Sequence, residues 1–330
     1  MTPGRHGYMP NAGYVEARSA VADYLKTFNR QDFTADDVVM TAGACGALHV
    51  VFRTLLDPGQ EVIIPAPYFV EYSNIIDTYQ GTAVIVPTGP GFSLYLDVVE
   101  KALTERTKAV LINTPNNPTG KVYSEEELQG LADLLTRASE KIGSPVYLVS
   151  DEPYRKIVYD GIAVPSVFNV YRESLVVTSF SKDLSLPGER IGYAALNPEM
   201  TFRNVISRGM VISNRIGYVN APALMQRAVA RVLNESVDVR QYQKKRDMLC
   251  DALASYGYSF DRPQGAFYLF PRSLEKDDAA FVNVLKEENI LTVPGRGFGC
   301  PGYFRIAYCV ADEVIERALP GFERVSKRYR

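Results

Sequence analysis

Lys182 is the residue of this sequence best suited to covalent chemistry. It stands in the run 179–183, Ser-Phe-Ser-Lys-Asp, with Arg190 a few residues later. The apolar run 175–177 comes just before and predicts a buried strand, so Lys182 should lie at the carboxyl end of that strand, where open α/β sheets hold their ligands. A lysine there can form a Schiff base with a carbonyl compound, because desolvation or a nearby cation lowers the pKa of its ammonium group. A solvated lysine on a polar loop is the alternative interpretation.

A carboxylate ends a second apolar run. Asp151 follows the predicted strand 146–150 and is itself followed by Glu-Pro-Tyr, which ends at Tyr154. A carboxylate in this place can hold a pyridine nitrogen protonated, and a protonated pyridine ring makes pyridoxal phosphate (PLP) an electron sink. A helix N-cap is the alternative role for this aspartate.

The loop 41–47, Thr-Ala-Gly-Ala-Cys-Gly-Ala, leaves a predicted strand and enters a predicted helix. Glycines at such a junction let backbone N–H groups face an anion at the helix N-terminus, and phosphate is the natural ligand. Glycines that serve only the sterics of the turn explain the loop equally well. The loop is neither a Gly-x-Gly-x-x-Gly fingerprint nor a Walker loop, which counts against nucleotide cofactors.

Two more loops follow predicted strands. The run 65–72, Pro-Ala-Pro-Tyr-Phe-Val-Glu-Tyr, offers aromatic side chains on which a planar ring could stack, although core packing explains them as well. The run 113–120, Asn-Thr-Pro-Asn-Asn-Pro-Thr-Gly, sets amides among prolines directly after an apolar strand. Amides on a backbone stiffened by proline suit the recognition of a ring oxygen. A plain turn is the alternative, since Asn and Pro are also turn residues.

Short apolar runs alternate with helical stretches through most of the chain. This alternation predicts an α/β fold with a mostly parallel, helix-covered sheet, and the near-continuous apolar character indicates strands buried on both faces. Helices are predicted at 46–56 and at 124–140, the second opening with Ser124 and Glu127 in capping-box spacing. The predicted strands are 38–41, 61–64, 83–86, 109–113, 146–150, 175–179 and 191–196.

The pattern changes after about residue 234 to a long charged helix, a helix at 277–289, an apolar run at 303–309 and a terminal helix. A chain of 330 residues is long enough for two domains. We therefore predict a large domain over residues 1–234 and a smaller α+β domain over residues 235–330.

The composition narrows the partners to small molecules and copies of the chain. A formal net charge of -2 gives no basic surplus for nucleic acid, and no apolar run is long enough to cross a bilayer as a helix. His6 and His49 are the only histidines, so no multi-histidine metal site is expected and His49 is assigned to packing. The four cysteines lack Cys-x-x-Cys spacing and the N-terminus lacks a signal-peptide pattern, which predicts a cytoplasmic protein.

In their order and roles, these segments resemble the class I and II aminotransferases, PLP-dependent enzymes of fold type I, and in particular the aspartate aminotransferases. The resemblance covers essentially the whole chain. It implies a ping-pong transfer of an amino group from an L-amino acid to a 2-oxo acid, with aspartate and 2-oxoglutarate as the leading pair.

The resemblance also assigns roles to single residues. Lys182 would bond covalently to PLP and then act as general acid and base, while Asp151 would pair with the pyridine nitrogen. Asn117 and Tyr154 would hydrogen-bond the ring hydroxyl, with Asn117 also lining the substrate position, and Phe69 would stack on the ring. The phosphate would be held by the backbone of Ala44 and Cys45 together with Ser179 and Arg190.

Three further matches concern the substrate and a second subunit. Arg305 matches the arginine that clamps the substrate α-carboxylate with a planar bidentate fork. Tyr8 resembles a tyrosine that reaches the cofactor phosphate of a partner subunit, and Arg215 resembles an arginine that reads the side-chain carboxylate of dicarboxylic substrates. The resemblance thus implies a homodimer with shared active sites. A surface strand arginine and an isolated helix arginine are the alternatives for Arg305 and Arg215.

One departure concerns the start of the chain. Members of the family usually carry a further segment before the part that matches Tyr8. In this sequence, residues 1–4 already lie close to Tyr8. Weaker substrate closure and dimer contacts are therefore expected, and an inactive PLP-binding fragment is one alternative function. A PLP-dependent C–S β-lyase of the same fold is another. A PLP-sensing regulator would need a DNA-binding module, for which residues 1–27 are too short.

Overall fold

A computed structural model describes residues 7–330 of the chain, and a seven-stranded sheet lies at its centre. The strands are β1 (Val38–Thr41), β2 (Glu61–Ala66), β3 (Thr82–Pro87), β4 (Thr107–Asn113), β5 (Tyr147–Asp151), β6 (Ser174–Ser179) and β7 (Gly192–Leu196). Their order across the sheet is β1-β7-β6-β5-β4-β2-β3. Neighbours from β6 to β3 pair in parallel, whereas β7 runs antiparallel to both β1 and β6. The predicted mostly parallel sheet is confirmed.

Each predicted strand overlaps an observed one, but the expected burial on both faces is wrong for β3. Strands β5 and β7 are buried along their whole length. In β3 only Val86 is buried and Ile85 is exposed. This strand pairs with β2 alone and forms an edge of the sheet, so its apolar side chains are only partly covered.

Helices cover both faces of the sheet. Buried residues of α1, α5 and α8 pack on one face and those of α2, α3 and α7 on the other. Within residues 7–330 the helices are α1 (Val15–Lys26), α2 (Gly43–Leu55), α3 (Tyr72–Thr78), α4 (Leu96–Ala102), α5 (Glu125–Ile142), α6 (Val167–Val170), α7 (Arg203–Gly217), α8 (Ala223–Val229), α9 (Val239–Ser255), α10 (Asp278–Glu287) and α11 (Asp312–Lys327).

The two predicted helices form with small shifts. The capping box of α5 is present, because Ser124 Oγ accepts from Glu127 N at 3.1 Å and the Glu127 carboxylate accepts from Ser124 N at 2.8 Å. Helix α2 begins at Gly43, three residues before the predicted start. The predicted phosphate loop therefore contributes its glycines to the first helical turn.

A second, three-stranded antiparallel sheet lies in the C-terminal part, in the order β8-β10-β9. Its strands are β8 (Tyr268–Leu269), β9 (Val293–Pro294) and β10 (Phe304–Ala307). The buried core around it includes side chains from α9, α10 and α11, and also Tyr154, Ile157 and Tyr159 from the segment after β5. The C-terminal core thus extends across residue 234, and a domain boundary at that residue stays a prediction.

Gly192 allows the first turn of α2 to lie close against the sheet. A Cβ added at this buried glycine would clash with the carbonyl oxygen of Thr178 and would come within 3.0 Å of the Gly43 backbone. The start of α2 is thereby fixed beside the end of β6, where the predicted phosphate and Schiff-base residues stand.

We predict that Gly192→Ala lowers the free energy of unfolding by about 1–3 kcal/mol, because the overpacked backbone cannot move aside. Urea unfolding followed by circular dichroism measures this change. Gly188→Ala is the matched control, since an added Cβ there meets no atom within 4 Å. Equal stability of the two variants would contradict the packing role of Gly192.

Candidate active site

A cavity of about 350 Å³ opens at the carboxyl ends of β4, β5 and β6 and beside the first turn of α2. The small sheet contributes Tyr268 and Arg305 to its wall. The lining residues are Ala44, Cys45, Phe69, Asn113, Asn117, Asp151, Pro153, Tyr154, Ser179, Ser181, Lys182, Pro187, Arg190, Tyr268 and Arg305. All predicted site residues therefore meet in one place, except Tyr8 and Arg215.

Asp151 is a buried carboxylate with a hydrogen bond to only one of its two oxygens. Its Oδ2 accepts a hydrogen bond from Tyr72 Oη at 2.5 Å, whereas its buried Oδ1 has no hydrogen-bond partner among residues 7–330. Burial raises the pKa of Asp151 to about 7, opposed by the Tyr72 hydrogen bond and assisted by the neighbouring Glu152. A cationic donor at Oδ1 would relieve this cost, because a buried charge is stable only when it is paired.

The amide loop after β4 is held to the end of β5. Asn113 Nδ2 donates to the Asp151 backbone oxygen at 2.8 Å, and Asn113 Oδ1 accepts from the backbone N–H of Asn117 at 2.7 Å. Asn117 Oδ1 in turn accepts from Arg305 Nη1 at 3.0 Å. One asparagine thus fixes the backbone beside Asp151, and the other connects this loop to the small sheet.

Lys182 is half-buried, and its environment lowers the pKa of its ammonium group. Burial is the main cause that lowers its pKa; Cys309 acts in the opposite direction, and Arg190 and Arg305 add to the lowering. A neutral amine is the nucleophilic form of lysine. The Lys182 Nζ lies 5.6 Å from the centre of the Phe267 ring.

Asp183 follows Lys182 and connects the loop of this lysine to two segments that are distant in sequence. The Asp183 carboxylate pairs with Lys156 Nζ at 3.3 Å, and Lys156 also donates to the backbone oxygen of Leu233. The backbone oxygen of Asp183 accepts from Val237 N at 2.7 Å. The loop is therefore held by the segment after β5 and by the connection into α9.

One end of the cavity combines positive groups. Ala44 and Cys45 lie in the first turn of the 13-residue helix α2, where backbone N–H groups are free of intrahelical partners. Arg190 lies against this turn, since its Nη2 would be 3.0 Å from a Cβ added at Gly43. Buried Ser179 adds a hydroxyl group beside them. A helix N-terminus, a guanidinium and a hydroxyl form a suitable site for a phosphate group.

Arg305 also lines the cavity and lies between two aromatic rings. Its Cζ lies 4.6 Å from the centre of the Tyr268 ring and 4.9 Å from that of Phe298. Its buried Nε has no hydrogen-bond partner within the described part of the chain. An arginine with a fixed plane and an unused donor is suited to a carboxylate.

Tyr8 and Arg215 lie outside the cavity of their own chain. The side chain of Tyr8 is 96% exposed. Arg215 is exposed in the last turn of α7, beside the exposed apolar side chain of Ile216. Their predicted roles in a partner subunit stay predictions.

Tyr72, Asn113 and Tyr268 make hydrogen bonds to site residues, although the sequence predictions gave them no specific role. Tyr72 and Asn113 lie in the runs 65–72 and 113–120, which the sequence analysis selected by composition. Their hydrogen bonds to Asp151 depend on how the chain folds and could not be predicted from these runs. Tyr268 carries no such signal. Its place depends on the pairing of β8 with β10, in which Tyr268 lies opposite Ala307.

Other features of residues 7–330 lie apart from the cavity. His49 Nδ1 hydrogen-bonds with Tyr79 Oη at 3.0 Å on the outer side of α2, while His6 is outside the described residues. No helix in the described range is long and apolar enough to cross a membrane. In the same range no group of three or more His, Cys, Asp or Glu side chains is arranged to hold a metal ion.

Comparison with known proteins gives a consistent result. The family model described as aminotransferase class I and II matches residues 1–322. A probable aspartate/prephenate aminotransferase of Aquifex aeolicus is 33% identical over 98% of this chain and 84% of its own length. An amino transferase structure from Eubacterium rectale has a TM-score of 0.97 at 42% identity, over 100% of this chain and 84% of that one. The structure of Thermus thermophilus aspartate aminotransferase with maleate has a TM-score of 0.87 at 32% identity, over 98% and 84%. The predicted fold and family resemblance are confirmed.

The raised pKa of Asp151 predicts a pH-dependent stability of the protein without added ligand. The ordinary pKa of this carboxyl is 3.8 and the folded value is about 7, so between these values the folded protein holds a proton that the unfolded chain releases. The resulting stability is fully present below the unfolded pKa and is lost as the pH rises through the folded one. Between about pH 5 and about pH 8 the loss should be about 2–3 kcal/mol.

Asp151→Asn should remove this dependence, because the amide does not titrate. Urea unfolding of both proteins at the two pH values gives the comparison, with Asp133→Asn on the exposed side of α5 as control. A free-energy difference between Asp151→Asn and wild type that is the same at both pH values would contradict the prediction.

Proposed function

Because this chain belongs to the class I and II aminotransferase family and is a transaminase, we propose that it uses PLP to move an amino group from L-aspartate to 2-oxoglutarate. The observation that carries the cofactor assignment is the unpartnered, buried Oδ1 of Asp151 in a cavity that also holds Lys182. A protonated pyridine nitrogen supplies both the donor and the positive charge that this oxygen lacks.

The remaining groups of PLP also have complementary residues in the cavity. Its phosphate would be held at the first turn of α2 by Ser179 and Arg190, and its ring hydroxyl by Asn117 and Tyr154. Phe69 would contact the face of the ring. When bound, PLP supplies an electron sink that stabilises negative charge on the substrate α-carbon.

The chain's own residues then divide the chemistry. Lys182 provides the amine that holds the cofactor covalently, and its lowered pKa keeps more of that amine neutral near pH 7. Once a substrate amine displaced it, the free Lys182 amine would take up the proton of the substrate α-carbon as a general base. As a general acid it would then give that proton to the cofactor carbon that keeps the amino group. The Asp151 carboxylate would hold a proton on the ring nitrogen. Because the first product would leave before the second substrate binds, the two half-reactions would follow ping-pong kinetics.

Arg305 orients the substrate for this proton transfer. The aromatic rings of Tyr268 and Phe298 fix the plane of the guanidinium, and Asn117 occupies Nη1. The buried Nε remains available to the α-carboxylate. The α-carbon is thereby held near Lys182, which lines the same cavity.

A homodimer completes the proposed site. Helix α7 exposes Val205, Ile212 and Ile216, each more than half exposed, on the surface that also carries Arg215. A second copy that covers this apolar stripe would bring Arg215 of one subunit toward the site of the other. Tyr8, fully accessible in one chain, would reach the partner's phosphate site in the same way.

Aspartate is the proposed donor because Arg215 would pair with its side-chain carboxylate. The names of the aspartate aminotransferases to which the chain is similar support this choice.

We place the protein in the cytoplasm, since all four cysteines lie within residues 7–330 and are free thiols, the form that a reducing compartment maintains.

We predict that Lys182→Ala lowers kcat for transamination by at least about a thousandfold, since both the covalent anchor and the acid–base group are lost. PLP should still bind through Asp151 and the phosphate site, which equilibrium dialysis measures. Lys108→Ala is the control, because Lys108 is also half-buried with a lowered pKa but lies on β4 away from the cavity. Ordinary turnover by Lys182→Ala would refute the assignment.

Arg215→Ala should raise KM for L-aspartate about tenfold to a hundredfold, because a charge-assisted pair with the side-chain carboxylate is lost. Its kcat/KM for an aromatic amino acid should change less than about threefold. Steady-state assays with both donors show the split. Arg208→Ala, an exposed arginine on the same helix, serves as control. An equal loss for both donors would remove Arg215 from substrate recognition.

A further inference from the structure

Tyr268 contacts two functional groups of the cavity at once. Its Oη lies 2.9 Å from Tyr154 Oη, and its ring lies 4.6 Å below the Arg305 guanidinium. The side chain is only 7% exposed, so both contacts are shielded from water. In the register of the small sheet, Tyr268 faces Ala307 across the strands, and Arg305 is two residues away on the same face. Diagonal neighbours of this kind are within reach of an aromatic side chain.

The proposed site determines which of the two hydroxyls, Tyr268 or Tyr154, donates the hydrogen bond between them. A tyrosine hydroxyl has one proton to donate. If Tyr154 donates its proton to the ring oxygen of PLP, its own oxygen can only accept from Tyr268. The two hydroxyls then form a chain in which Tyr268 donates to Tyr154, and a chain of this kind strengthens the terminal bond. Both rings are buried, so water does not compete for these groups.

The ring contact acts on a different group. Arg305 is held between Tyr268 and Phe298, while Nη1 donates to Asn117 and Nε remains without a partner. Removal of one ring would leave the guanidinium plane free to tilt away from the substrate position. The contact depends on an aromatic face and is independent of the Tyr268 hydroxyl.

We propose that Tyr268 is a positioning residue whose hydroxyl supports the hydrogen bond from Tyr154 to the cofactor and whose ring orients Arg305 for the substrate carboxylate. This inference rests on the proposed PLP function of the same site. The inference gives the hydroxyl and the ring of Tyr268 two different roles. The hydroxyl should affect the cofactor, and the ring should affect substrate affinity.

Two substitutions in the PLP-loaded protein separate these effects. Tyr268→Phe keeps the ring and removes the hydroxyl. The visible absorption of lysine-bound PLP changes with pH, and this substitution should raise the pKa of that change by about half a unit. The reason is that a weaker donor stabilises the negative ring oxygen less. The dissociation constant of this variant for succinate, a dicarboxylate without an amine, should change less than about twofold.

Tyr268→Leu removes the ring as well. It should show the same spectroscopic shift and should also weaken succinate binding about fivefold to twentyfold, since the cation–π contact with Arg305 is lost. In steady-state assays the Phe variant should change kcat more than KM, and the Leu variant should change both.

Tyr308→Phe is the matched control for a lost buried hydroxyl. Tyr308 Oη donates to Tyr159 Oη at 3.2 Å, and the side chain is 1% exposed, so this pair resembles the Tyr268–Tyr154 pair outside the cavity. The control should leave the spectroscopic pKa and the succinate affinity unchanged. A shift in Tyr308→Phe equal to that in Tyr268→Phe would assign the effect to general loosening of the core and overturn the inference.

The remaining outcomes distinguish the inference from the proposed function. A wild-type protein that gives no visible band with PLP would refute the PLP function itself. A wild-type protein that binds PLP normally, with the same spectroscopic pKa in Tyr268→Phe, would refute the role of the hydroxyl alone. Unchanged succinate affinity in a folded Tyr268→Leu variant, checked by circular dichroism, would refute the role of the ring.

Discussion

The buried carboxylate of Asp151 imposes the main electrostatic constraint on the site. Asp151 is the last residue of β5, at the carboxyl ends of the parallel strands. Tyr72 donates a hydrogen bond to one of its oxygens, and no residue of the described chain donates to the other. Burial raises the pKa of this group to about 7, so the folded chain carries an electrostatic cost that a cationic ligand can remove. Binding of a protonated pyridine and stability of the folded sheet are therefore linked through one oxygen atom.

The neighbouring elements are arranged around that oxygen. Strand β4 brings Asn113 to the backbone of Asp151, and β6 leads to Lys182 on the other side. The small sheet supplies Arg305 and Tyr268 to the lining of the same cavity. The large sheet thus carries the groups suited to the cofactor, and the small sheet carries those suited to a substrate carboxylate.

Local patterns in the sequence were sufficient to predict much of this arrangement. Lys182, Asp151 and Asn117 each follow an apolar run, and parallel strands bring their carboxyl ends to one edge, so the residues could be placed together before the structure was known. Tyr72 and Tyr268 could not be found in this way, because their roles depend on contacts with Asp151 and Tyr154, far away in the chain. The exposure of β3 was also missed, since an apolar run does not reveal whether its strand has one neighbour or two.

The most direct test is the absorption spectrum of the purified protein with PLP, recorded before and after L-aspartate and then 2-oxoglutarate are added. The proposed function predicts a visible band from lysine-bound PLP that bleaches with aspartate and returns with 2-oxoglutarate, as one lysine serves both half-reactions. No band with PLP, or a band that aspartate leaves unchanged, would contradict the proposed aspartate transamination at this site.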